Sequence, residues 1–135
     1  MNAVHIVIGL LLVTTMNIAS ARDSTEPMVR IAEIEVDPAQ LAAYKSMLAE
    51  EQKASVELEP GVLMLHSVSI NDSPTSIRLL EVYASRSAYE AHLKSPHFIK
   101  YKTSTDKMVK ALKLIETTPI LLCAKDQDGA SRTCG

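Results

Sequence analysis

Four short apolar segments, separated by amphipathic ones, constrain the fold of this chain more than any other feature. They are rich in β-branched and long aliphatic residues, which is typical of strands: residues 28–36, 62–70, 76–84 and 114–122. Asn71-Asp72-Ser73-Pro74 predicts a turn between the second and third segments, so these two should form an antiparallel hairpin. Pro119 indicates that the last strand is bent, broken or at an edge of the sheet.

Between these strands, apolar residues recur at steps of three and four, the period of a helix. Asp37-Pro38 marks the start of the first helix, which should end near residue 57, before Glu59-Pro60-Gly61. Ser85 is expected to cap a short second helix that runs to Lys94. Ser95-Pro96 then starts a third helix, whose inner stripe is predicted to be Phe98, Tyr101, Thr105, Met108 and Leu112.

The resulting order, β-α-β-β-α-β, predicts an α+β fold of the ferredoxin-like, split β-α-β type, in which helices cover one face of an antiparallel sheet. The strands nevertheless carry apolar residues on both faces. In the second strand, Val62, Met64 and Val68 lie on one side, and Leu63 and Leu65 on the other. Because the helices can cover only one face, we expect the other to be buried against a second copy, in a homodimer.

The first 21 residues contain no Asp, Glu, Lys or Arg and end in Ala19-Ser20-Ala21, which is typical of a signal-peptidase site. We therefore predict a signal peptide at 1–21, a disordered lead at 22–27, a domain at 28–122 and a C-terminal tail at 123–135. The protein should then be exported, periplasmic or secreted, with no membrane contact after cleavage. A retained single membrane anchor and an incorrectly placed start are the alternatives.

Two cysteines, Cys123 and Cys134, lie in the C-terminal tail. Export to an oxidising compartment would allow a disulfide between them, although two unpaired thiols remain an alternative. Two cysteines at this spacing with no histidine between them make a poor metal site. The sequence also contains no metal-ligand motif and no glycine-rich phosphate loop, so we predict neither a metal nor a cofactor.

The charge and aromatic content argue against nucleic acid as a partner. The formal net charge is −2, and the chain has one Phe and no Trp. A nucleic-acid-binding domain needs a basic face, and stacking on bases needs exposed aromatic side chains. The hydrophobic fraction of 47% is high enough for one domain with a core of its own.

A family resemblance is carried by residues 28–118. Its motifs are Arg30-Ile31-Ala32-Glu33, Glu59-Pro60-Gly61, Glu81-Val82-Tyr83-Ala84-Ser85, Ala88, His92, Ser95-Pro96-His97-Phe98 and Tyr101. With these residues the chain resembles the antibiotic biosynthesis monooxygenase domain family of the dimeric α+β barrel superfamily. The pattern E-x-Y-x-S-x-x-A-x-x-x-H-x-x-S-x-H-F is more specific to the superfamily than to one reaction.

The resemblance implies a function as well as a fold. Family members include small quinol and anthrone monooxygenases that use oxygen with no flavin, haem or metal. It therefore implies a cofactor-independent monooxygenase whose partners are molecular oxygen and a small aromatic quinol- or anthrone-like substrate. Together with the predicted signal peptide and the two-sided strands, this gives an exported, homodimeric enzyme. Because one fold supports several activities, a non-catalytic small-molecule-binding protein and an isomerase using the same pocket remain alternatives.

The haem-degrading branch of the family fits poorly. That branch relies on an Asn in the first strand, a Trp, and a haem-ligating His. Here the corresponding first-strand position is Ile34, the residue four after Phe98 is Lys102, and the chain has no Trp. The anthrone oxygenases also use Asn and Trp side chains, so their mechanism cannot be transferred residue by residue.

Three side chains are candidate catalytic residues. His92 would act as a general base or as a donor to a substrate oxygen, or it would brace the corner between two helices. Tyr83 would present its hydroxyl to the pocket. His66, in the middle of a strand, would line the pocket, face a dimer interface or be a hydrogen-bonded interior histidine. Glu81 on the same strand face as Tyr83 is expected to form a structural ion pair with Arg30.

Five further residues are candidate substrate contacts: His97, Phe98, Tyr101, Met64 and Tyr44. His97 follows Pro96 at the start of the third helix, where surface packing is its alternative role. Tyr44 and Tyr101 lie on inner helix stripes and Met64 on an apolar strand, so each of them could instead belong to the core.

Overall fold

The computed structural model describes residues 26–126, 128–129 and 131–134. The predicted signal peptide, residues 1–21, lies outside them. Within the described part of the chain, no helix has both the length and the hydropathy needed to cross a bilayer. The element bounds are β1 Met28–Val36, α1 Leu41–Leu58, β2 Val62–Ile70, β3 Ser73–Tyr83, α2 Arg86–His92, α3 Pro96–Thr105, β4 Val109–Glu116, β5 Cys123–Lys125 and β6 Arg132–Cys134.

The main sheet has four antiparallel strands in the order β2-β3-β1-β4. Strand β1, the first within the described residues, is therefore an interior strand, paired with β3 on one side and with β4 on the other. The helices pack on one face of this sheet, around a core of Ala32, Ile34, Val36, Tyr44, Leu48, Ile77, Leu79 and Met108. The predicted α+β, ferredoxin-like class is confirmed.

The helix starts follow the capping residues of the sequence. The Asp37 carboxylate accepts a hydrogen bond from the Ala39 N–H (3.0 Å), in a short 3-10 turn that leads into α1. The Ser85 hydroxyl accepts from the Ala88 N–H (3.1 Å) at the start of α2. These bonds satisfy backbone donors that have no partner inside the helix. Ser95 caps α3 in the same way, so α2 and α3 meet at a sharp corner.

The last strand lies earlier in the chain than the sequence predicts. The third helix ends at Thr105 rather than continuing to Leu112, and β4 spans Val109–Glu116 rather than 114–122. The Met108 carbonyl accepts the Asp37 N–H (2.8 Å), which places the chain beside the end of β1. Pairing with β1 then fixes the register of β4, because interior strands need ladder partners on both sides.

The sheet face away from the helices carries apolar side chains that this chain leaves uncovered. Val68 is 58% exposed, Ile70 39% and Leu80 37%. His66 and Met64 pair across the strands with Leu80 and Val82, which places both on this outer face. The two-sided apolar character predicted for the strands is therefore present.

The C-terminal tail forms a hairpin of its own. Strands β5 and β6 pair with each other, with Cys123 directly opposite Cys134. These two cysteines form a disulfide. Gly129, in the connecting turn, has a φ of 70°, a conformation that glycine adopts without strain.

Candidate functional site

A cavity of about 480 Å³ lies between the sheet and the helices. Its walls are mainly apolar, formed by side chains such as Ile34, Leu65, Leu79, Leu93 and Phe98. The cavity reaches strand β4, where Leu112 and Leu114 also line it and are themselves about half exposed. This volume lies within the range of pockets that enclose small organic ligands.

The polar lining of the cavity includes side chains from every layer of the fold. Arg30 comes from β1, Glu51 from α1, Glu81 and Tyr83 from β3, and His92 from α2. Apart from Glu81, which is half-buried, all of these residues are buried. The apolar cavity thus contains a small number of polar groups that could orient a ligand.

Glu81 is the carboxylate best suited to accept a proton from a ligand. Burial raises the pKa of Glu81 above its ordinary value, although the hydrogen bond from Tyr83 and the charges of His92 and Arg30 oppose that rise. The Tyr83 hydroxyl donates to Glu81 Oε2 at 3.2 Å. Burial and the nearby carboxylate raise the pKa of Tyr83, so this phenol stays protonated and acts as a donor.

Arg30 is held by a different partner from the one that the sequence predicts. In the sheet, Arg30 lies opposite Glu81 on β3 and opposite Glu116 on β4. Its guanidinium forms an ion pair with Glu116. It also donates to the Tyr89 hydroxyl and lies over the Tyr89 ring, 4.3 Å from the ring centroid. The proposed Glu81–Arg30 ion pair is therefore wrong, and Glu81 keeps its carboxylate free of a direct cationic partner among the described residues.

Glu51 is a second buried carboxylate, on the inner face of α1. It accepts a hydrogen bond from the Ser55 hydroxyl (2.6 Å), one helical turn further on. Its Oε1 lies 3.7 Å from His92 Nε2. Burial raises the pKa of Glu51, while Ser55 and the histidines oppose that rise.

The structure brings four of the predicted site residues to the cavity: His92, Tyr83, Phe98 and Tyr101. The ring of His92 packs against Phe98 and Tyr83, with centroid separations of 4.7 and 5.4 Å. The Tyr101 hydroxyl is hydrogen-bonded to that of Tyr44 (2.6 Å).

The other four predicted residues do not line this cavity. His66 and Met64 lie on the outer face of the sheet, because the even-numbered residues of β2 after its bulge point away from the helices. Tyr44 is fully buried in the core behind Tyr101. His97 lines a smaller cleft of about 240 Å³ between α1 and α3, to which Tyr101 and Glu51 also contribute.

A cluster of two histidines and a carboxylate stands at the corner where the three helices meet. Glu59 Oε1 lies 3.0 Å from His92 Nδ1 and 2.5 Å from His97 Nε2. Burial tends to raise the pKa of Glu59, but the two imidazoles outweigh it and lower that pKa below its usual value. The sequence predicts no metal-ligand cluster, whereas folding assembles these three donors from separate segments.

Sequence reasoning missed Glu51, Glu59 and Tyr89 as functional candidates. A signal for Glu51 was present: Tyr44, Leu48, Glu51 and Ser55 are spaced four, three and four apart, which is one buried helical stripe. Because burial of an unpaired carboxylate is costly, a glutamate on such a stripe is a candidate for a functional role. No comparable pattern marks Glu59 or Tyr89, whose positions depend on how the helices meet.

Comparison with known proteins identifies the family of the chain. The sequence profile of the antibiotic biosynthesis monooxygenase family matches residues 27–104. The chain belongs to that family. A protein from Bacteroides thetaiotaomicron described as a candidate antibiotic biosynthesis monooxygenase is 44% identical, with 70% of this chain and 90% of that one covered and a TM-score of 0.69.

Two further solved structures extend the comparison. A candidate monooxygenase from Lactobacillus acidophilus is 31% identical over 67% of this chain and 43% of its own longer chain, with a TM-score of 0.65. A Nitrosomonas europaea protein is 21% identical over 71% of this chain and 92% of its own, with a TM-score of 0.67, and supports the fold alone. No curated protein sequence matches this antibiotic biosynthesis monooxygenase family member significantly.

Proposed function

We propose that this protein is a cofactor-independent monooxygenase that acts on a small aromatic substrate of the quinol or anthrone type. The observation that carries the proposal is the apolar cavity that contains the Glu81 carboxylate and the Tyr83 hydroxyl. Membership of the antibiotic biosynthesis monooxygenase family supports the same reaction class. Tyr83, Tyr89, Phe98 and Tyr101 also line the cavity, and their rings suit a flat aromatic ligand.

The reaction requires a base from the protein and a group that stabilises negative charge on the substrate. Glu81 would remove a proton from the substrate, leaving an electron-rich anion in an apolar environment. That anion can pass one electron to molecular oxygen, and recombination of the two radicals forms a carbon–oxygen bond. In an anthrone, a CH₂ group and O₂ become C=O and H₂O, so the reaction balances without an external reductant. Arg30 would stabilise negative charge that develops on a substrate oxygen.

Oxygen uptake by the purified protein tests the proposal. A panel of naphthoquinols and anthrones would be assayed with superoxide dismutase and catalase present, and autoxidation would be subtracted. We expect saturable uptake with at least one compound. Tight binding with no uptake would favour a binding protein, and proton exchange in deuterated water without uptake would favour an isomerase; either result would contradict the proposal.

We also propose that the protein is a homodimer that buries the outer face of its sheet. The exposed apolar side chains of Val68, Ile70 and Leu80 support this arrangement, because monomers rarely leave such a face uncovered. His66 would then lie in the interface, which was one of its predicted positions.

Charged residues on the outer face should dissociate the dimer. We expect Val68→Glu combined with Leu80→Glu to give a monomer, because two pairs of carboxylates would be buried without partners. Size-exclusion chromatography with light scattering measures the mass. Val56→Glu is the control, since Val56 is equally exposed but lies on α1. A wild-type monomer at tens of micromolar would contradict the proposal.

We propose, finally, that the protein is exported. The composition of residues 1–21 and the Cys123–Cys134 disulfide support an oxidising destination. After expression in a bacterial host, we expect the mature protein in the periplasmic fraction or medium, with Arg22 as its first residue in N-terminal sequencing. An uncleaved chain in the cytoplasmic fraction would contradict this.

A further inference from the structure

Three helix ends bring metal-binding side chains to one point, with two histidines five residues apart and a glutamate more than 30 residues before them. Glu59 is the residue that ends α1, His92 is the last residue of α2, and His97 is the second residue of α3. Each side chain is thus fixed by a helix end rather than by a flexible loop. His92 is buried, and the side chains of Glu59 and His97 are each 16% exposed.

The donor atoms lie close enough together to be ligands of one metal ion. Glu59 Oε1, His92 Nδ1 and His97 Nε2 all lie within 4.8 Å of one another. Bonds of about 2.0–2.2 Å to a tetrahedral ion place its ligand atoms roughly 3.3–3.5 Å apart. The separations from Glu59 Oε1, 3.0 and 2.5 Å, are shorter than this, so the side chains would have to move apart as the ion binds.

The cluster also has an outer shell of the kind found around metal-bound histidines. With Nδ1 directed at the cluster, His92 turns its other nitrogen, Nε2, towards Glu51, whose Oε1 is 3.7 Å away, so this pair would have to close by several tenths of an ångström to form the outer-shell hydrogen bond. Glu51 is itself held by the Ser55 hydroxyl at 2.6 Å. A carboxylate behind a ligating imidazole fixes the tautomer and raises the basicity of the ligand.

We propose that Glu59, His92 and His97 form a binding site for a divalent transition-metal ion, with Zn²⁺ as the ion that these donors fit best. Two imidazole nitrogens and one carboxylate oxygen favour zinc-type ions over Mg²⁺ and Ca²⁺, which prefer oxygen ligands alone. The partial exposure of Glu59 and His97 leaves room for water as a fourth ligand.

The site would join the helices rather than take part in oxygenation. His92 contributes its ring to the cavity wall, while its Nδ1 faces Glu59. An ion at this point would tie α1, α2 and α3 together and hold that ring in one orientation. The inference does not depend on the proposed monooxygenase activity, and its test needs no substrate.

Zinc titration of the untagged, chelator-treated protein tests the site. We expect one equivalent of Zn²⁺ to bind, measured by competition with a chromophoric chelator, and the thermal midpoint to rise with zinc concentration. His97→Ala and Glu59→Gln should each weaken zinc binding by at least about 100-fold, because loss of a ligand costs no less than loss of an outer-shell partner. Glu51→Gln should weaken it about 10- to 100-fold.

His66→Ala is the matched control, since this histidine lies on the opposite face of the sheet, away from the cluster. It should leave zinc affinity unchanged. Co²⁺ should give the visible absorption of a tetrahedral site in the wild type and in His66→Ala, but not in His97→Ala. Absence of binding at micromolar zinc, or equal affinity in the wild type and Glu59→Gln, would overturn the proposal. Glu59→Gln preserves the shape of the side chain, so this variant tests the zinc site even if His97→Ala fails to fold.

Discussion

Glu81→Gln is expected to lower substrate-dependent oxygen uptake by about 10²- to 10⁴-fold, the range associated with loss of a general base. The exchange keeps the size of the side chain and an oxygen that can accept from the Tyr83 hydroxyl. It removes the negative charge, and with it the ability to take a proton from the substrate. Initial rates of oxygen uptake at saturating substrate measure the effect.

Stability separates this loss from damage to the fold. Because burial raises the pKa of Glu81, the charged form is disfavoured in the folded state at pH values above the ordinary value for glutamate. Removing that charge should therefore leave the thermal midpoint at pH 7 unchanged or higher. Glu33→Gln is the control: Glu33 is partly exposed, pairs with Arg78 and is not a cavity residue, so activity should persist.

The pH dependence of the rate has a definite sign. A general base works only when deprotonated, so activity should fall as the pH decreases through the raised pKa of Glu81. Tyr83 on the same strand, Arg30 on β1, His92 on α2 and Glu51 on α1 all act on this carboxylate. A rate that stays constant down to the ordinary range of glutamate pKa values, about 4.3, would contradict the assignment.

Gly61→Ala is expected to destabilise the fold by about 1–3 kcal/mol, the usual cost of overfilling a packed contact. A Cβ at position 61 would lie 2.6 Å from the Ala88 Cβ, and neither methyl can rotate away. The Gly61 carbonyl also accepts the Ala84 N–H (2.9 Å), so the backbone is held where the collision occurs. Thermal unfolding should show a midpoint lower by roughly 4–8 °C per kcal/mol.

A second substitution can identify the collision as the cause. Ala88→Gly in the Gly61→Ala background removes the opposing methyl group and should recover much of the lost stability. Ala91→Gly in the same background is the control, because Ala91 is an exposed residue of the same helix and its exchange costs helix propensity without relieving the contact. Equal midpoints for the two double variants would rule out the steric explanation.

The helix starts and most of the strands could be predicted because their signals are local. Asp37, Ser85 and Ser95 each cap the turn that directly follows, and that interaction requires only neighbouring residues. The last strand could not be predicted from the sequence, because Thr105, Met108 and Leu112 continue the helical spacing of α3. In the fold, Leu112 and Leu114 instead line the cavity as alternate residues of a strand.

The candidate site was predicted in part for the same reason. His92, Tyr83, Phe98 and Tyr101 lie in a stretch whose local structure was predicted correctly, and they do line the cavity. The partner of Arg30 was not predictable, because it depends on which residue of the misplaced last strand stands opposite. His66 was assigned to the cavity because the outer and inner faces of a two-sided apolar strand look alike in sequence.

The interior position of β1 sets the order in which this chain can complete its fold during synthesis. The β2–β3 hairpin is local and can form as soon as residue 83 leaves the ribosome. Strand β1 emerges first, yet its second neighbour, β4, is complete only at Glu116. Until then one edge of β1 carries unpaired backbone groups, the kind of edge that recruits other strands. Ribosome stalling or truncation before residue 116 would therefore leave a nascent chain with the apolar strand MVRIAEIEV open to aggregation.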